Sequence, residues 1–141
     1  TVAPGTTLSI KNNVPKECLV VHSPIRGVHP HLHEGIKAFV KYIGADDNLS
    51  MKKAKEHLEH LWIKVKCLTN SKTTELGKLL DTTYYGLAIA WHGEMKRICD
   101  EHGVDFNEVV TDFNQTYNEG YSELGRKELP TPTMIVLEYS L

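Results

Sequence analysis

Cysteine is scarce in this chain: only Cys18, Cys67 and Cys99 occur among 141 residues. An odd number at wide spacing, with no C-x-x-C, excludes a disulfide scaffold and a zinc ribbon. It predicts reduced thiols in a cytoplasmic setting, packing as small apolar residues. An excess of one charge is also lacking, since 16 Lys and Arg face 18 Asp and Glu, a formal net charge of −2. That removes the basic footprint nucleic-acid binding needs. No run of about 18 apolar residues is present, the length a membrane-spanning helix needs. No signal peptide can be read. The chain opens on Thr1 rather than Met, so the expectation is a processed or excised piece of something longer. Repeats and low-complexity segments are absent.

What is present is ordinary for a globular chain: 40% apolar and 24% charged residues, enough for one domain with a real core. The turn-rich start, Thr1 to Thr7, is broken by Pro4-Gly5, and Leu8 to Asn12 suits a short helix. Cys18 to His22 and Ala38 to Ile43 read as short strands joined by a long loop. Ser50 is a candidate N-cap for a helix whose stripe is Leu58, Leu61 and Trp62. Ile63, Val65 and Cys67 alternate with Lys64 and Lys66, the period of a half-exposed strand. The strongest element is Glu75 to His102, which has no proline and carries Leu76, Leu80, Leu87 and Trp91 at helical spacing. It predicts a helix about 42 Å long. Because it is apolar on more than one side, it is expected at the centre of a helical domain and at a homodimer contact. Gly103 marks its end. Asp105 and Glu108 form a capping-box pattern opening a helix over Phe106, Val109, Val110, Phe113 and Tyr117, ending near Gly120. Met134 to Leu137 suits a strand in the tail.

Several stretches, taken in order, resemble the nucleotide-sugar dehydrogenases, the family of UDP-glucose and GDP-mannose dehydrogenases. Thr1 to Thr7 looks like the end of that family's S-T-V-x-P-G-T segment, and His22 to Arg26 like its S-P-E-R/F segment. Gly44 to Asp47 looks like the turn closing its first domain. Thr74 to Leu80 is similar to the A-E-x-x-K-L segment opening its central helix, and Gly93 to Met95 and Cys99 to Asp105 to the N-E and G-x-D segments that follow. The resemblance spans about residues 1–118. It implies a mainly α fold with a small α/β remnant: the end of a dinucleotide-binding-like domain over 1–47, a helical central domain over 48–120, and a tail over 121–141. It implies NAD-dependent oxidation of a nucleotide sugar by the parent protein, with a cytoplasmic location and a homodimer through the 75–102 helix. Neither nucleic acid nor membrane is an expected partner. By motif position, Lys78 and Thr82 are the catalytic candidates, Thr1 a cofactor contact, and Ser23 and Arg26 substrate contacts.

The chain departs from the family pattern at defined places. Ile25 stands where the family has a glutamate, and Thr82 where it has an asparagine. No G-x-G-x-x-G appears, so the pyrophosphate cradle is missing. Leu124 to Pro130 offers no cysteine where the family carries its nucleophile, and the cysteines present match no catalytic position. NAD is therefore expected to belong to the parent protein and not to bind this chain tightly.

Two other readings use different residues. His29, His31 and His33 alternate beside Glu34, and His57 and His60 are three apart, both usable spacings for a metal. Neither set is an H-E-x-x-H, so a solvated loop or substrate contact competes with a metal site. A helical dimerisation or interaction module without chemistry is the other alternative. The resemblance predicts that the purified chain does not oxidise a nucleotide sugar by itself. NAD reduction above that of a Lys78→Ala control overturns this.

Overall fold

A computed structural model describes residues 1–27 and 30–126. Those residues are mainly helical with a small α/β remnant. The order is α1 (Thr6–Asn12), α2 (Leu32–Ala38), β1 (Lys41–Ile43), α3 (Asn48–His60), β2 (Val65–Cys67), α4 (Ser71–His102), a π-helical segment (Asn107–Asp112) and α5 (Phe113–Glu123). The chain divides into two compact units, Thr1–Asp81 and Thr82–Leu141. The expected strand at Met134 to Leu137 lies outside the described residues.

In the first unit β1 and β2 pair in parallel, with Lys41 opposite Val65 and Ile43 opposite Cys67. Parallel strands need a crossover, and α3 supplies it. The run Cys18 to His22 is not a strand. Only His22 joins the sheet, through an isolated antiparallel bridge to Gly44, its N–H donating to the Gly44 carbonyl at 2.8 Å and its carbonyl accepting from the Gly44 N–H at 2.9 Å. Cys18 and Leu19 are exposed, so this run buries too little to hold a full ladder. Ala38 to Ile43 is likewise shorter as a strand than its pattern suggests, because Leu32–Ala38 is helical. Ile43 is fully buried, together with the polar side chains of Ser50, Ser71, Thr74 and Glu75.

The cap of α3 is Asp47 rather than Ser50. Its Oδ1 accepts the Ser50 N–H at 2.7 Å and its Oδ2 accepts the Ser50 hydroxyl at 2.7 Å. Lys11 pairs with the same carboxylate. That bond, with those from Ser50, holds the Asp47 carboxyl far below the usual carboxylate range. A carboxylate outcompetes a hydroxyl here because it also complements the positive end of the helix. The expected stripe of α3 fails at its end: Leu61 is the C-cap, and Trp62, with φ 58, is turned out to 92% exposure. Before α4, Asn70 Oδ1 accepts from the Thr73 N–H and hydroxyl, each at 2.9 Å.

The second unit packs the end of α4 against the π-helical segment, around Cys99, Phe106 and Val110 with Met95 alongside. Gly103, at φ 66, closes α4, with the Val104 N–H reaching back to the Cys99 carbonyl at 3.0 Å, a Schellman-type end. Asp105 Oδ1 accepts from the N–H groups of Asn107 and Glu108, as an N-cap does. Beyond it the α-helical stripe breaks. A π turn holds one residue more than an α turn and rotates everything after it. The inward positions run Phe106, Val110, Asn114, Asn118, while Phe113 is 74% and Tyr117 56% exposed. The helix extends to Glu123 rather than ending near Gly120.

Two glycines give opposite expectations. A Cβ on Gly44 would overlap the Asn70 carbonyl oxygen and the Thr74 hydroxyl. Gly44→Ala is expected to cost at least about 2 kcal/mol in a urea melt. A Cβ on Gly86, inside α4, meets nothing within 4 Å. Gly86→Ala is expected to gain up to about 1 kcal/mol. A neutral Gly44→Ala overturns the close-approach argument.

Candidate functional site

A cleft of about 190 Å³ opens in the first unit, lined by Pro24, Arg26, Tyr42, Leu68, Thr73, Thr74, Gly77, Lys78 and Asp81. One wall is α4, whose first three turns present Thr74, Lys78 and Asp81 at the three- and four-residue spacings that share a helix face. The other wall is the segment after His22, laid on β1. The Ser23 hydroxyl donates to the Tyr42 carbonyl at 2.7 Å, and Lys41 Nζ donates to the Pro24 carbonyl at 3.0 Å. Burial lowers the Lys41 pKa, as expected for an ammonium partly withdrawn from water. The Arg26 guanidinium lies 4.9 Å from the Tyr42 ring centroid and 5.8 Å from that of Phe39.

Behind the α4 wall stands a fully buried carboxylate, Glu75. It accepts from the N–H of Gly5 at 2.5 Å, the N–H of Thr7 at 2.7 Å and the Thr7 hydroxyl at 2.6 Å. Gly5 adopts φ 95, a left-handed conformation that glycine takes without strain, and the turn so formed aims both amides at one acceptor. Burial alone would push the Glu75 carboxyl up. The bonds from Thr7 and Gly5 outweigh it, and the net shift is downward. Beside it, His22 Nδ1 meets Thr74 Oγ1 at 2.8 Å. That hydroxyl gives its proton to the Ser71 carbonyl at 2.8 Å, so Nδ1 is the protonated nitrogen of His22. Burial lowers the His22 pKa, and the neighbouring Glu75 opposes it only in part.

Of the residues singled out from sequence, the cleft brings together Arg26 and Lys78. Ser23 stands next to it, with its hydroxyl turned to the Tyr42 backbone. Thr1 is exposed and outside the lining. Thr82 follows Lys78 by one helical turn and opens the second unit. Ile25, at the family's glutamate position, is 57% exposed. Sequence reasoning missed Tyr42, Thr74 and Asp81. The signal for Asp81 was its three-residue distance from Lys78. Nothing local marked Tyr42. Among the described residues the histidines do not converge: His31 pairs with Glu34 at 3.1 Å, and His60 Nδ1 meets its own helix at the Glu56 carbonyl. His29 lies outside the described residues, and among the described residues no three His, Cys, Asp or Glu gather to hold a metal ion.

Over 110 residues the chain is 30% identical to the UDP-N-acetyl-D-mannosamine dehydrogenase of Methanococcus maripaludis strain C7, across 78% of this chain and 26% of that protein. It is 32% identical over 112 residues to the protein of that name in Methanocaldococcus jannaschii, with the same coverage. This chain is a nucleotide-sugar dehydrogenase-like segment. The segment spans about a quarter, 26%, of the length of the curated relatives it matches. No family model matches it. Among its described residues no helix is long and apolar enough to cross a membrane.

The Glu75 cap makes the segment acid-sensitive. Its carboxyl is held below the ordinary value of 4.5, so its contribution is complete above that pH. It is lost as pH falls through the lower folded value. Glu75→Gln is expected to cost about 1–3 kcal/mol near neutrality, by turning an N–H toward donors that want an acceptor. It should also flatten the stability profile below pH 4.5. Urea melts at stepped pH check both, and an unchanged acid slope refutes the assignment.

Proposed function

We propose that this segment supplies one wall of the substrate cleft and the central helix of an NAD-dependent nucleotide-sugar dehydrogenase, and that it is inactive alone. In this reading residues 1–47 end a dinucleotide-binding-like domain and 48–120 belong to the helical domain. The observation that carries it is the single cleft lined by Arg26, from the S-P-I-R segment, and Lys78, from the T-E-L-G-K segment. Lys78 is the cation for an oxyanion developing at the reacting carbon, the charge such a step requires. Thr82, one turn on, offers a hydroxyl on the same helix, and Ser23 keeps the Arg26 segment on β1. Thr1 is the proposed contact to the cofactor.

The residues present do not fit NAD by themselves. The G-x-G-x-x-G turn that cradles a pyrophosphate is missing from the chain, and the Gly5 and Thr7 amides at the front of α1 already bond Glu75. The cofactor in this reading belongs to parts of the parent protein beyond this segment. The names of the relatives make UDP-N-acetyl-D-mannosamine the first nucleotide sugar to try. It is expected to shift the amide resonances of Thr74 and Gly77, and Lys78→Ala is expected to weaken it about tenfold, as loss of one charge-assisted contact does. No resonance change in the cleft overturns the reading.

The exposed apolar face of α4 supports the homodimer. Leu80 is 60%, Leu87 65% and Trp91 58% exposed, at spacings that share a helix face. We infer that a second copy covers it. The native mass at micromolar concentration should be that of two chains, and Leu87→Glu should return it to one. A native mass of one chain for the unmodified protein refutes the contact.

A further inference from the structure

Arg26 is half-buried and lines the cleft. Among the described residues it makes no hydrogen bond and no ion pair, only its two ring contacts. A guanidinium lying over aromatic rings keeps its in-plane N–H donors, the arrangement that meets a phosphate or carboxylate with two parallel bonds. The charged lining is Arg26, Lys78 and Asp81, two cations against one anion, which favours an oxyanion over a cation. The chain before Arg26 is fixed: Ser23 and Pro24 are tied to β1, and Pro24 is buried. The Tyr42 ring, 4.9 Å from the guanidinium carbon, then selects among the orientations a long side chain has.

We propose that Arg26 is the oxyanion anchor of this cleft and that Tyr42 is the residue that positions it. The inference rests on the cleft being the nucleotide-sugar site. The ligand chemistry is a phosphate or carboxylate, carried by a nucleoside diphosphate or by an oxidised sugar. Tyr42 acts by holding the guanidinium ready. A ring face is needed and the phenol oxygen is not, so phenylalanine at this position should serve equally.

The test uses the whole chain labelled with nitrogen-15, titrated separately with UDP and with glucuronate. The expected result is a shift of the Arg26 Nε–H resonance together with the Thr74 and Gly77 amides. A response to UDP alone assigns the phosphate, and a response to glucuronate alone assigns the carboxylate. Tyr42→Leu should weaken binding about 3–30-fold, the range of a guanidinium–ring contact, while Tyr42→Phe stays within about twofold. In the free chain the melting point of Tyr42→Leu should hold, whereas a merely structural role would lower it. Should Tyr42→Leu fail to fold, Arg26→Gln, which leaves β1 intact, must abolish the response. Thr74 and Gly77 responding while Arg26 stays silent overturns the proposal and leaves the cleft standing. Equal affinity in Tyr42→Leu does the same. No response anywhere in the cleft at about 10 mM of either probe, beyond even millimolar affinity, overturns both.

Discussion

A carboxylate with no access to water must find its donors inside the protein, or the charge costs several kcal/mol. Glu75 finds three, all at the front of α1, and the rest of the first unit is arranged around that demand. The donors converge only because Gly5 takes a left-handed turn. The acceptor arrives because α4 begins at Ser71, where Asn70 caps it and the buried Ser71 hydroxyl reaches Asp46 at 2.5 Å. Thr74 is thereby brought to His22, and His22 to Gly44. Fixing one carboxylate fixes the entry turn, the first turn of the long helix and the edge of the sheet together.

The cleft inherits its rigidity from this lock. Lys78 and Asp81 sit on the same helix as Glu75, within two turns of it, so their bases do not move independently of α1. The opposite wall is tied to β1 by a hydroxyl and an ammonium, both to backbone carbonyls. Groups held on regular elements are positioned more closely than groups on loops. The same economy has a cost for phosphate binding. The Gly5 and Thr7 amides are spent on a side chain of the same polypeptide and are not open to an anion from outside.

Much of this was legible in the sequence, and the losses have causes. The long helix, its glycine stop and the strand at Val65 were marked by periodicity and breakers, which act locally. Asp105 was legible as a cap because its pattern lies within four residues. Asp47 was hidden because Ser50 is also an acceptable cap in isolation, and the choice shows only in the structure, where Asp47 accepts both the Ser50 N–H and its hydroxyl. The run Cys18 to His22 has the composition of a strand, but pairing depends on neighbours that no local pattern contains. For the cleft, motif order brought forward Arg26 and Lys78. Tyr42 became visible only when folding put its ring under a guanidinium from another segment.

The π-helical segment works like a one-residue insertion written into geometry rather than into length. Through Val110 the inward positions of this unit are apolar: Cys99, Phe106 and Val110. From Phe113 onward the wheel is out of phase, so asparagines take the inward positions and aromatic rings take the surface. Asn114 uses the place to give an N–H to the Val110 carbonyl at 2.6 Å, and Tyr117 and Tyr121 stack outside with centroids 4.9 Å apart. A relative lacking one residue in this stretch would carry the same letters about 100° further round the helix. Comparing such chains by hydrophobic pattern alone would exchange core for surface along the whole of α5.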